Sequence, residues 1–178
     1  MGNLQSNLSF RFMSLGFRLR DLHLPRTEIL KEVDIKTGFR VLDYGCGAGS
    51  YVLAVSELVG PSGKVYALDI HPLAVESVQR LVSRRGLTNV ETILSDCRTG
   101  LPNDFVDVAL LYDIYHDLTE PEAVLNELHR VLKPDGILSF NDHHMKGEDV
   151  TAKVAAGTLF RLAEKGRMTY KLSKVPRQ

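Results

Sequence analysis

A chain of 178 residues, 44% hydrophobic and 25% charged, has the make-up of one globular domain and is too short for two ordinary ones. Lysine plus arginine equals aspartate plus glutamate at 22 each, so no global charge draws the chain onto a phosphate backbone and nucleic acid is not an expected partner. Two cysteines are too few for a disulfide framework and have no zinc-site spacing, and no apolar run is long enough to cross a membrane; a cytoplasmic protein without stable membrane insertion is expected.

Leu8, Phe12, Leu15, Leu19 and Leu22 recur at intervals of four and three, which predicts a helix over residues 8–22. Phe10, Met13 and Phe17 form a second apolar line on it that asks for a cover. A short helix follows from near Pro25 to about Val33. Residues 40–43 read as a buried strand, 45–49 as a glycine loop, 50–58 as a helix, 60–63 as a turn and 64–69 as a second strand, which is a βαβ unit. The alternation repeats with a helix over 72–85, bearing Val75, Val78 and Val82 on one face, and a strand over 90–94. Residues 106–112 are nearly all apolar, as in a central strand covered on both faces.

Thr119-Glu120-Pro121-Glu122 has the order of a capping box for a helix marked by Ala123, Val124, Leu128 and Val131, which Lys133-Pro134-Asp135-Gly136 ends as a turn. A fifth strand is expected over 137–140 and a helix over about 149–156. Residues 158–163 and 168–173, around a 164–166 turn, read as a hairpin. The sum is an α/β fold: one domain over 1–178, with a helical cap in 1–36 and a core in 37–178 built on a doubly wound, mostly parallel sheet with a C-terminal antiparallel hairpin.

In such sheets ligands bind beyond the carboxyl ends of the strands, at the switch in strand order, so the loops after strands carry the chemistry. Asp43-Tyr44-Gly45-Cys46-Gly47-Ala48-Gly49 has glycine at alternate positions, which permits a tight turn and close backbone approach to a ligand. Asp69 ends the next strand, where a carboxylate can accept hydrogen bonds from both hydroxyls of a ribose. A nicotinamide dinucleotide is disfavoured: Ser50 stands where its fingerprint needs the third glycine, and Asp43 would face the pyrophosphate with like charge. A cationic ligand suits Asp43 better.

Val41-Leu42-Asp43-Tyr44-Gly45-Cys46-Gly47-Ala48-Gly49 resembles the first motif of the class I S-adenosylmethionine-dependent methyltransferases, in particular the small-molecule branch of the ubiquinone and menaquinone enzymes. Val65-Tyr66-Ala67-Leu68-Asp69-Ile70 is similar to that family's ribose-binding strand, Ser95-Asp96-Cys97 to its adenine-binding turn, and residues 128–138 to the helix and loop before its fifth strand. The resemblance implies a Rossmann-like seven-stranded sheet with N-terminal lid helices. It also implies a cofactor, S-adenosylmethionine, with S-adenosylhomocysteine as product. Asp43, Tyr44, Gly45, Gly47 and Gly49 would surround its methionine part, Asp69 and Ile70 its ribose, Asp96 and Cys97 its adenine, and Tyr112 would lie beside it.

Methyl transfer from a sulfonium needs positioning and exclusion of water, and a base only where the acceptor carries a proton. His116 is the expected base, with Asp113 and Tyr115 beside it, while Asp117, Asn141, Asp142, His143 and His144 stand in the same loops. Asp113 with Asn141 and Asp142 is also similar to the metal set of catechol-type O-methyltransferases, but the surrounding motifs resemble the metal-free branch, and no metal is expected. The acceptor is expected to be a small, partly apolar molecule. The line of Phe10, Met13 and Phe17 could close over it, pack on the core or a partner chain, or, with Arg11, Arg18 and Arg20, touch an anionic membrane surface transiently. Either a monomer or a homodimer fits. The alternatives are a catalytically silent module that binds S-adenosylmethionine or its product, a nucleotide-dependent oxidoreductase, and an RNA methyltransferase, the last opposed by the zero net charge.

Overall fold

Seven strands form one sheet in the computed structural model, which describes residues 26–155 and 158–176. They are β1 (Arg40–Tyr44), β2 (Lys64–Asp69), β3 (Val90–Leu94), β4 (Val106–Tyr112), β5 (Leu132–Asn141), β6 (Phe160–Lys165) and β7 (Tyr170–Lys174), in the order β3-β2-β1-β4-β5-β7-β6. The first five run parallel, and β7 lies between β5 and β6, antiparallel to both. From β1 the chain builds outward through β2 to β3, then returns to lay β4 on the other side of β1. The switch in strand order therefore falls between β1 and β4, and the ends of β1, β2, β4 and β5 share one edge of the sheet. The apolar run of β4 has the predicted cause: it is the central strand, with six of its seven residues buried.

Helices cover both faces. On one, Ile29 and Leu30 of α1 (Arg26–Lys31), with Val33, and Val55 and Val59 of α2 (Val52–Val59) pack on Val41, Val65, Val108 and Leu110. Val78 of α3 (Pro72–Arg85) meets Val52 around Ala67 on the same side. On the other, Val124, Leu125, Leu128 and Val131 of α4 (Pro121–Val131) pack on Leu42, Leu111, Leu138 and Phe140. Each such fully buried side chain contributes roughly 1.5–3 kcal/mol. The helix expected over 8–22 lies outside the described residues. No described helix is long and apolar enough to cross a membrane.

The helix ends have local causes. Pro72 opens α3 at a position where its missing N–H costs nothing, His71 Nδ1 accepts the Leu73 N–H at 3.2 Å, and Gly86 closes the helix at φ 64°. The end of α2 is fastened from a distance: Asn89 Nδ2 donates to the carbonyls of Ser56 and Gly60 at 2.9 Å each, while Ser56 Oγ donates to Asn89 Oδ1 at 2.6 Å. The Glu32 carboxylate accepts the N–H groups of Met168 and Thr169 and the Thr169 hydroxyl, which ties the end of α1 to the β6–β7 turn.

Several expected boundaries shift. The capping box before α4 does not form. Glu120 takes the cap position without a side-chain capping bond, because a residue before proline is pushed out of the helical region, here to φ −129° and ψ 67°. The 133–136 turn lies within β5: Val106 pairs with Leu132 and Val108 with Ile137, so these four residues loop out opposite Asp107 alone. The helix expected over 149–156 is a short α5 (Gly147–Val150) continued by a wider turn, Thr151–Ala155. The hairpin bends at 166–169, closed by Gly166 N–H to Thr169 O at 2.8 Å, so Glu164 and Lys165 are strand residues.

Candidate functional site

The glycine loop leaves β1 at the switch point and is held by the strand beside it. The Gly45 and Cys46 N–H groups both donate to Leu68 O, at 2.8 and 2.9 Å, which folds the chain back over the end of β2. A methyl group on Gly45, at φ 81°, would fall 2.5 Å from Ile114 Cδ1, so the absence of a side chain lets the loop after β4 close against this one. Gly47, at φ 52°, differs: nothing lies within 4 Å of where its Cβ would be, and the turn faces open space. Its N–H donates to Asp69 Oδ2 at 2.8 Å, and the His71 N–H donates to Asp69 Oδ1 at 2.8 Å. Burial raises the Asp69 carboxyl above the usual range against the pull of these bonds. Each Asp69 oxygen keeps a lone pair for a further donor, with half-buried Ile70 next in line. The amides of Gly45, Cys46, Gly47 and Gly49 are thus spent within the protein.

Asp43, at the end of β1, is 2% exposed, and its Oδ2 is buried without a hydrogen-bond partner among the described residues. Burial, and then the neighbouring charge of Asp69, push its carboxyl up to about 7. Cys46 packs with Val52, Ala67 and Val78, and burial beside Asp43 and Asp69 keeps its thiol protonated, as a packing role requires.

The loop after β3 is braced twice. The Tyr44 hydroxyl donates to Cys97 O at 3.2 Å, and Glu127 of α4 accepts the Thr99 N–H and hydroxyl at 2.7 Å each while gripping Arg130 at 2.8 and 2.9 Å. Against burial, which acts to raise it, the Arg130 and Thr99 bonds bring the Glu127 carboxyl down to about 2. Asp96 stands exposed on this loop and Cys97 is half-buried. Tyr112 is also a brace: it is buried, its hydroxyl shares a hydrogen bond with Ser139 Oγ at 2.7 Å, and its ring meets Tyr51 edge-on at 5.1 Å. The resemblance sets Tyr44 and Tyr112 about the cofactor; the hydroxyls of both bond within the protein. Glu127, His71 and Ile114 escaped that reading, because nothing in their local sequence marks the partners they meet.

Beyond β4 and β5 the loops exchange partners. Asp113, held at φ 56°, accepts His143 Nδ1 at 2.8 Å and the His143 N–H at 3.2 Å. In the other direction His116 Nδ1 lies 2.9 and 3.0 Å from the two oxygens of Asp142, which also accept the N–H groups of His116 and His144. The Asp142 side chain is fully buried; burial alone would raise its carboxyl, but these bonds hold it below the usual range. The His144 ring is flanked by those of His116 and His143, with centroids 4.1 and 4.0 Å away, and Tyr115 packs edge-on against Phe140 at 5.5 Å. Donor atoms of Asp113, Asp142 and His143 lie within 4.8 Å of one another, but imidazole and backbone N–H groups already use these carboxylates and no cation is assigned here. Asn141 does not join that set: its amide donates to Met168 O.

A family model described as a methyltransferase domain matches residues 35–172. The chain is 32% identical over 113 residues to a demethylmenaquinone methyltransferase of Geobacillus stearothermophilus, covering 63% of this chain and 48% of that protein. It is 34% identical over 114 residues to the aklanonic acid methyltransferase DauC of Streptomyces sp. (strain C5), covering 64% and 46%. A SAM-dependent methyltransferase from Aquifex aeolicus, of known crystal structure, aligns with a TM-score of 0.70 and 32% identity over 88% of this chain and 96% of that one. The chain spans about half the length of the curated relatives it matches.

Proposed function

We propose, from the premise that this chain belongs to the class I S-adenosylmethionine-dependent methyltransferases, that it methylates a small, partly apolar acceptor. The observation that carries the cofactor side of this reading is Asp43: a buried carboxylate oxygen without a partner among the described residues, at the switch point of the sheet, beside a glycine turn that opens to space. An orphaned buried acceptor costs about 1–3 kcal/mol, which a cationic ligand offsets. S-adenosylmethionine carries both an ammonium and a sulfonium, and when bound it supplies an electrophilic methyl group.

Asp43 takes the ammonium, and the turn around Gly45, Gly47 and Gly49 admits the methionine part without side-chain clash. Asp69 accepts the ribose hydroxyls on the lone pairs left by Gly47 and His71, with Ile70 alongside. Asp96 accepts the adenine amino group on a loop that Tyr44 and Glu127 hold in place, and Cys97 packs near the ring. The acceptor enters beside the loops after β4 and β5, where His116, Asp113 and Tyr115 stand, and His116 takes its proton. Quinone-type acceptors suit this description and are what the demethylmenaquinone relatives are named for.

Calorimetric titration with S-adenosylhomocysteine, with NAD as the matched control, tests the reading. Micromolar binding, on the order of 8 kcal/mol, is expected for the former and none for the latter. Binding of NAD in preference to S-adenosylhomocysteine would overturn it.

A further inference from the structure

The exchange of partners between the loops after β4 and β5 fixes more than their positions. We infer that Asp142 is a positioning residue for His116: it holds the ring in the Nδ1–H form and leaves Nε2 as a proton acceptor for an acceptor molecule that gives up a proton on methylation. This deepens the methyltransferase reading and rests on it.

Three observations carry the inference. His116 Nδ1 is within 3.0 Å of both Asp142 oxygens, a contact that demands a proton on Nδ1. The Asp142 side chain is fully buried and accepts two backbone N–H groups as well. A neutral asparagine or serine could cap those two amides; a ring N–H shared between two oxygens needs a carboxylate. Third, the pair is locked from the other side, because His143, the residue after Asp142, is tied back to Asp113 in the loop that carries His116.

The groups around the ring are Asp142 at Nδ1, Asp117 Oδ2 3.5 Å from Nε2, and the rings of His144 and His143 at 4.1 and 6.0 Å, with Asp113 behind His143. As the acceptor's O–H or activated C–H proton passes to Nε2, the electron pair it leaves forms the bond to the methyl carbon. S-adenosylmethionine, when bound, would supply that methyl group, with the methyl–sulfur electron pair kept on sulfur. The positive charge that began on a sulfonium ends on an imidazolium between Asp142 and Asp117. An acceptor that is already a bare lone pair, such as a tertiary amine or a thioether, has no use for this arrangement.

Nitrogen-15 NMR of the imidazoles in the full chain, with His116→Gln to assign the signal, reads the tautomer directly. The expected result for the neutral ring is a protonated Nδ1 and a bare Nε2 for His116 in the wild type, a mixture of tautomers in Asp142→Asn, and recovery of the wild-type form in Asp142→Glu. A neutral His116 ring with its proton on Nε2 in the wild type overturns the inference, as does a tautomer unchanged in Asp142→Asn. Should Asp142→Asn not fold, the wild-type spectrum decides alone. S-adenosylhomocysteine affinity, measured on the same samples, reports separately on the cofactor reading.

Discussion

The Asp69 carboxylate holds the Gly47 N–H at 2.8 Å, so the residue that would grip the ribose also sets the turn that would admit the methionine part. With its other oxygen on the His71 N–H, it fixes the start of α3 as well. One side chain thereby joins the loops after β1 and β2.

Replacing Asp69 should therefore cost both binding and local order. In Asp69→Ala, S-adenosylhomocysteine affinity should fall at least tenfold, about 1.4 kcal/mol, and the melting temperature should drop with the two lost N–H contacts, by about 1–3 kcal/mol of stability. Calorimetry and thermal melts measure these separately. Unchanged affinity in a folded Asp69→Ala protein would remove the ribose assignment.

Asp43 predicts a pH dependence. Its carboxyl lies near 7 in the folded chain and near 4 in the unfolded one, so between these values the folded state binds more protons. The contribution of Asp43 to the stability of the unliganded protein should thus be greatest below the lower value and decline as pH rises to about 7, by at most about 4 kcal/mol, a slope that Asp43→Asn should remove. A cationic ligand favours the ionised form, so binding below about pH 7 should release close to one proton and weaken as pH falls. Titrations in buffers of different ionisation enthalpy would detect the release; an affinity flat from roughly pH 5.5 to 8 counts against the ammonium site. Asp43→Asn should stabilise the unliganded protein at pH 8 by about 2 kcal/mol and abolish binding.

Glu127 has the opposite sign. Its folded carboxyl lies near 2, below the unfolded value of about 4.3, so its contribution is present above that value and lost as pH falls towards 2. Glu127→Gln should cost about 1–2 kcal/mol at pH 7 and nothing near pH 2, in urea melts at the two pH values. Equal losses at both would place the effect outside the Arg130 and Thr99 bonds. At pH 7 the variant should also bind S-adenosylhomocysteine more weakly, since the loop bearing Asp96 loses its anchor.

The central sheet was legible because its strands are apolar runs between glycine-rich turns: β2, β3, β4 and α3 fall on the residues the pattern marks. Proline at 121 shows where local pattern misleads, since the four-residue signature for a capping box overlooked the constraint proline places on its predecessor. For the site, strand-end position marks Asp43 and Asp69 in the sequence, and the fold sets the two side by side at the switch in strand order. Strand-end position does not say what a side chain bonds to: the hydroxyls of Tyr44 and Tyr112, both expected near the cofactor, bond to Cys97 O and to Ser139 Oγ. Glu127 was invisible for another reason. It is an ordinary carboxylate on an amphipathic helix, and only the fold brings Thr99, 28 residues away, to it.

The place of β7 bears on how the chain reaches this fold. Phe140 and Leu138 of β5 pair with Tyr170 and Leu172, and β6, made earlier, is paired into the sheet through β7. A nascent chain that has not yet released residues 170–174 holds β5 with an unpaired, strongly apolar edge, which is a template for association with other chains. β7 is therefore the strand that covers the apolar edge of β5, and a chain in which its pairing with Leu138 and Phe140 is weakened should aggregate more readily during synthesis.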